Sequence, residues 1–211
     1  MENVAQQQPG VRVWPGLPGD RLLELMTGAQ QLVLHAALYS NFAHGPVNKL
    51  IRRRLASGEL TSLTLIKLEA KPQWRDEFAR VLRPGMAAAD MDLLLRQSRD
   101  WCCELKCLAP AAVNLVSSQA LPLQPILLLG DTVLAGQYAH SQETAAHGPW
   151  LELDSTALGL APGTLGQWFA QGVPVTGEGW PRAIGRYVEE CRQAAHDIWM
   201  LPSLTGECQC R

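Results

Sequence analysis

Residues Leu121–Ser141 read LPLQPILLLGDTVLAGQYAHS. PILLL and TVLAGQY are short, apolar and strand-like, and Gly130-Asp131 between them is a turn dipeptide of the kind that closes a β-hairpin. The stretch predicts two strands meeting at that turn, and the other elements have to be arranged around the pair.

Upstream, VRVWPGLPGD (11–20) is a short extended piece followed by Pro15, Gly16, Pro18 and Gly19 as punctuation. Asp20 suits the N-cap of a helix over RLLELMTGAQQ, in which Leu22, Leu23, Leu25 and Met26 share a face. LVLHAALY (32–39) is a continuous apolar run of strand length, the mark of a strand covered on both sides. HGPVNKLIRRRLASGEL predicts a helix, with Pro46 near its start and Gly58 just past its end, and LTSLTLIKL (60–68) predicts a second strand. Helix, strand, helix, strand favours an α/β fold whose sheet is largely parallel, with right-handed crossovers. PQWRDEFARVL and MAAADMDLLLRQSRDWCCELKCL then show helical periodicity, and AVNLV (112–116) reads as a short strand. Beyond the hairpin, GPWLELD (148–154) predicts another strand, GTLGQWFAQG and PRAIGRYVEECRQAAHDIWM predict helices, and LPSLTGECQCR reads as a loose tail.

A chain of 211 residues with 47% hydrophobic content can bury one medium domain with a small appendage. Charged residues make up 18%, below the usual quarter, which favours a surface partly covered by a partner. The net charge of −2 offers no global attraction to a phosphate backbone and argues against non-specific nucleic-acid binding. No apolar run approaches the roughly 20 residues of a membrane span. Residues 1–10, MENVAQQQPG, read as a disordered leader without the charge and apolar core of a signal peptide, so a cytoplasmic location is expected. In that compartment the six cysteines are expected as thiols or metal ligands rather than as a disulfide framework.

The arrangement resembles one half of a phospholipase D-like domain. GDRLLELMTGAQQLVLHAALYSN is similar to that family's opening helix and first strand, and VNKLIRRRLASGELTSLTLIKL to its second helix and strand. PILLLGDTVLAGQYAHS resembles the segment holding the family's histidine-x-lysine-x4-aspartate signature, and GPWLELDS the strand after it. The resemblance is one of pattern rather than identity. It implies a mixed, largely parallel sheet flanked by helices over residues 11–160, with 161–211 as a helical C-terminal extension packing on the domain or on a partner. With Asp131 as the signature aspartate, Gln124 stands at the histidine position and Ile126 at the lysine position. The resemblance makes that histidine the nucleophile on phosphorus and that lysine the cation that neutralises the phosphoryl oxygens. A glutamine amide cannot serve as nucleophile or proton carrier, and isoleucine brings no charge to the step that most needs it. Gly136, Gln137, Tyr138 and Ala139 also replace the family's usual glycine-serine-x-asparagine stretch. The implied domain is degenerate, with no catalytic residue and no cofactor. Single-signature members often pair, so a homodimer is implied too.

Could other residues rebuild a site? His140 and His147 flank Glu143 just after the hairpin, near strand ends where α/β folds keep their sites. Their seven-residue spacing fits no tight ligand template, and two exposed loop histidines are the commoner arrangement. His35, inside an apolar run, is more often a satisfied core histidine than a catalyst. His44, beside Asn41 and Gly45 in a loop, is better placed for binding. Cys103 and Cys107 at i, i+4, with Cys208 and Cys210 in the tail, could supply four thiolates to zinc, but neither pair has the Cys-x2-Cys spacing usual for such sites. Buried helix thiols and a frayed end are the simpler reading, so no metal is expected. Lys49 and the Arg52–Arg54 run read as a solvated helix face. Trp168, Trp180 and Trp199 lie in a low-charge C-terminal third, where they either pack on the same domain or anchor a partner.

These readings converge on a non-catalytic cytoplasmic regulator that binds another protein, a transcription factor being one case, without membrane or nucleic-acid binding. The competing reading is a phosphodiesterase or nuclease with relocated catalytic histidines among His35, His44 and His140.

Overall fold

A computed structural model of the chain describes residues 8–69, 72–118, 122–138, 144–174 and 178–196. In chain order the elements are β1 (Val11–Trp14), α1 (Gly19–Gly28), β2 (Gln31–Ala36), α2 (Ser40–Ala43), α3 (Gly45–Ser57), β3 (Ser62–Leu68) and α4 (Pro72–Leu82). They continue with α5 (Ala88–Leu108), β4 (Val113–Ser118), β5 (Ile126–Leu129), β6 (Thr132–Ala135), β7 (Trp150–Asp154), α6 (Thr164–Gln171) and α7 (Trp180–His196).

The strands form one seven-stranded mixed sheet in the order β1-β7-β6-β5-β2-β3-β4, flanked by helices, so the chain is an α/β protein. Only β2–β3 and β3–β4 pair in parallel. The remaining pairings, β2–β5, β5–β6, β6–β7 and β1–β7, are antiparallel. The expectation of a largely parallel sheet is thereby corrected, and the reason is local. Helical crossovers lead from β2 to β3 and from β3 to β4, whereas the two-residue turn at Gly130-Asp131 sends the chain straight back. Gly130 supports that turn with φ 61, a left-handed conformation that costs glycine little.

Alternation along the strands divides the core between two faces. Leu32 and Leu34 of β2 point with Leu63, Leu65 and Leu127 into the layer of α1, α3 and α5, against Leu22, Ile51 and Leu105. Val33, Ile66, Ile126 and Leu128 point the other way, onto Leu165 and Trp168 of α6 and Ile184, Val188 and Cys191 of α7. Residues of α6 and α7 thus form a second helical layer on the same sheet. A third, smaller cluster of Ala37, Phe78, Leu82 and Met91 lets α4 and the start of α5 close over the ends of β2 and β3.

Three local expectations need adjustment. Pro18, not Asp20, precedes α1 as its N-cap residue, and no side chain caps it; Asp20 sits in the first turn, where a carboxylate faces the positive end of the helix dipole. Residues 8–10 are tied into the fold rather than free: the Asp154 N–H donates to the Gly10 carbonyl at 2.8 Å, and the Val11 N–H to that of Gln8 at 3.1 Å. Arg54, read as surface charge, is buried. Its guanidinium donates to the carbonyls of Met26 and, at 2.6 Å, Ala29, satisfying the C-terminal end of α1. Arg52 keeps to the surface and pairs with Glu104 of α5.

Glu152 of β7 is the other buried charge. It accepts hydrogen bonds from Trp14 Nε1 (2.8 Å), Arg21 Nε and Nη2 (3.1 and 2.9 Å) and Arg12 Nη1 (3.4 Å). Strand β1, helix α1 and strand β7 are joined through that one carboxylate. Removing one partner of a buried, hydrogen-bonded ion pair leaves the other uncompensated, so Glu152→Ala is expected to cost about 3 kcal/mol in chemical denaturation. A loss well under half of that would show that β1 is held mainly by its backbone ladder.

Candidate functional site

The ends of β2 and β5 gather the positions at which the signature was sought. Gln124 lies two residues before β5 and Asp131 two residues after it, so the two lie at opposite ends of the strand. Asp131 is structural there. Its Oδ1 accepts the Gly163 N–H at 2.6 Å, and its carbonyl accepts the N–H and hydroxyl of Ser155 at 2.9 and 2.7 Å, fastening the chain between β7 and α6 to the hairpin. Ile126 is fully buried, in register with His35 on one side and Ala135 on the other. Gln124, half-buried, donates from Nε2 to Glu190 Oε2 of α7 at 3.3 Å. Burial raises the Glu190 carboxyl above its ordinary range, and the bond from Gln124 acts in the opposite direction. An amide, an alkyl group and a carboxylate therefore meet where the resemblance expects a nucleophile and a cation. When ionised, the carboxylate repels a phosphodiester rather than attracting it.

His35 is 4% exposed, and its Nδ1 is buried without a hydrogen-bond partner. Burial lowers its pKa to about 4, so the ring is neutral and a weak base. Tyr138 is half-buried: its hydroxyl accepts the Ala37 N–H at 2.9 Å, its ring meets Phe78 edge-on, and burial raises its pKa. Neither group is arranged as a nucleophile beside a base. His44 is exposed at the N-cap of α3 without a capping side-chain bond, and His147 is exposed at the end of a 3-10 turn, Ala145–His147. His140 lies outside the described residues. Among the described candidate histidines, His35 pairs in register with Ile126 of the signature strand.

The polar groups that remain accessible lie elsewhere. Past the end of β3, a cleft of about 380 Å³ is lined by Lys67 and Glu69 and by Asp92, Leu95, Arg96 and Arg99 of α5. The α5 residues recur at i, i+3, i+4 and i+7, which puts them on one face of the helix. Lys67 Nζ approaches Glu69 Oε2 at 4.0 Å, and Arg99 hydrogen-bonds to its neighbour Asp100 at 3.4 Å. Leu93 and Met86, 46% and 38% exposed, add apolar surface on and just before the same helix. Sequence reading passed over this cleft because its lining residues are scattered between a strand end and a long helix; the Arg96 and Arg99 spacing was the available signal.

Of the two readings of the tryptophans, packing on the same domain describes Trp168, which is buried in the layer between α6 and the sheet, while Trp180 is half-buried against the same cluster. Trp199 lies outside the described residues. Cys103 and Cys107 are each disulfide-bonded, whereas Cys102 and Cys191 are buried free thiols. The expectation of thiols or metal ligands is corrected for Cys103 and Cys107, whose sulfurs are committed to S–S bonds. Among the described residues no group of three or more His, Cys, Asp or Glu side chains could hold a metal ion, and no helix is long and apolar enough to cross a membrane.

No protein-family model matches the chain, and no curated protein does. Among solved structures it is similar to an archaeal chromatin protein, TrmBL2, whose structure is described as showing a novel mode of DNA binding. That likeness has a TM-score of 0.39 at 11% identity, covering 89% of this chain and 52% of the other, so the chain spans about half the length of that neighbour. A likeness at this level assigns neither family nor function.

The enclosure of His35 predicts a specific pH dependence. Its pKa is near 6.5 in the unfolded chain and about 4 in the folded one, so between those values only the unfolded chain takes up the proton. The contribution is therefore complete above pH 6.5 and is lost as the pH falls towards 4. Wild type is expected to lose about 3 kcal/mol more than His35→Leu across that window. Parallel pH profiles for the two proteins would contradict it.

Proposed function

We propose that the chain is a non-catalytic, cytoplasmic regulatory protein on a degenerate phospholipase D-like domain, and that it works by binding another protein. The observation that carries this reading is the Gln124–Glu190 contact beside buried Ile126, which fills the signature position with groups that neither attack nor stabilise a phosphate ester. The relocated-enzyme reading lacks comparable support, since His35 is neutral and enclosed and His44 stands alone at a helix end.

The cleft on α5 is the binding surface we assign. Arg96 and Arg99 present guanidinium groups beside exposed Leu93, a combination suited to an acidic, amphipathic segment of a partner. A transcription factor carrying such a segment is one such partner. Charge reversal at both arginines leaves the core untouched and reverses that complementarity. Affinity capture with the wild-type chain is expected to recover a protein whose yield falls roughly tenfold or more with Arg96→Glu/Arg99→Glu, the equivalent of about 1.4 kcal/mol. Equal recovery by both forms would move the interface away from the cleft, and no recovered protein would remove the binding reading itself.

A further inference from the structure

A cavity of about 40 Å³ opens at the C-terminal end of β2, where the sheet changes from parallel pairing with β3 to antiparallel pairing with β5. Crevices at such switch points, outside the carboxyl ends of strands, are where open α/β sheets hold small molecules. Its walls are mainly apolar, with Leu17, Phe42 and Trp150 among them, and Ser40, Tyr138 and Arg83 bring polar groups. It shares no lining residue with the cleft on α5, so the two sites are independent. Arg83 is the unusual member. It directly follows α4, is half-buried, and donates from Nη1 to the Leu82 carbonyl at 2.7 Å. Among the described residues no carboxylate pairs with it, whereas the other arginines withdrawn from the surface, Arg21, Arg52, Arg54 and Arg192, each have one. Burial lowers the pKa of the Arg83 guanidinium, the mark of a cation whose lost hydration is not offset by a negative partner.

We propose that this cavity binds a short-chain carboxylic acid as its anion, with the carboxylate on Arg83 and the alkyl end among Leu17, Phe42 and Trp150. The pairing follows from the shape of the two groups. A guanidinium offers a carboxylate two parallel N–H donors, and with Nη1 engaged by Leu82 the edge formed by Nε and Nη2 is the one left for a ligand. Ser40 and Tyr138 add hydroxyl groups to the same space. Size and charge narrow the class further. A volume of about 40 Å³ has room for roughly three water-sized groups, which fits an acid of a few carbons and no more. One guanidinium balances one negative charge, so a dianionic phosphate would bring an uncompensated charge against apolar walls. The alkyl end of a carboxylic acid is suited to those walls, because burying it removes apolar surface from water on both sides.

Isothermal titration calorimetry of the purified full chain with sodium acetate, sodium propionate, propionamide and inorganic phosphate tests the assignment. Propionate is expected to bind saturably at one site in the millimolar range, as befits a ligand of so few atoms. The methylene that separates propionate from acetate should tighten binding about fourfold. Propionamide keeps the shape without the charge and should bind at least about tenfold more weakly than propionate. Arg83→Gln, checked for its fold by circular dichroism, should lose affinity for propionate by a similar factor, and Arg83→Lys by less. The propionamide comparison uses the wild-type chain and stands even if a variant does not fold. Propionamide bound as tightly as propionate, phosphate bound more tightly than propionate, or unchanged propionate binding by folded Arg83→Gln would each overturn the proposal. An absence of saturation in the millimolar range would also overturn it and reduce Arg83 to a cation at the C-terminal end of α4.

Discussion

Strand β2 is hydrogen-bonded on both edges and covered on both faces, and this enclosure governs what its neighbourhood can do. A side chain on such a strand loses its water whichever way it points. Leucine and valine gain from that, and a histidine in the same place gives up its proton. The pairing of His35 with Ile126 then sets an imidazole beside an alkyl group, with no polar atom to receive its Nδ1. Burial at this end of the sheet therefore removes the charge that phosphoryl chemistry depends on.

The two helical layers divide the work. α1, α3 and α5 bury one face; enclosed Glu152 ties α1 to β1 and β7, and enclosed Arg54 ties α3 to the end of α1. α6 and α7 bury the other face almost entirely with apolar groups and bring Glu190 to the end of β5. What remains open is the outward side of α5, where cationic and apolar groups stand together and where the two oxidised cysteines lie. Among the described residues the one buried carboxylate on the sheet, Glu152, is neutralised by arginine, while Arg96 and Arg99 of α5 stand exposed.

Much of this was legible in the sequence. The spacing of Leu22, Leu25 and Met26, the Pro46 start and Gly58 stop of α3, and the Gly130 turn each specified an element through local physics. Strand direction was less visible, because an apolar run such as ILLL is equally suited to either direction and only its partners decide. The burial of Arg54 did have a signal: Val47, Leu50, Ile51 and Arg54 stand at i, i+3, i+4 and i+7, so the arginine occupies a core-facing position. Glu152 likewise alternates with Leu151 and Leu153 on a strand whose Trp150 faces inward. Arg54 was read by residue type instead of by position, and Glu152 was not singled out. Cys103 and Cys107 were misjudged for another reason, since their redox state was taken from the expected compartment. The sequence left open whether α6 and α7 pack on the domain or on a partner, because an amphipathic face does not name what covers it.

The claim that the end of β5 is chemically silent is tested most directly by assaying the purified full chain for hydrolysis of bis-p-nitrophenyl phosphate. The account predicts release of nitrophenol indistinguishable from buffer, with no change in His35→Ala, His44→Ala or His140→Ala. Turnover above buffer that disappears in any one of these variants would contradict it and place a working nucleophile in this chain.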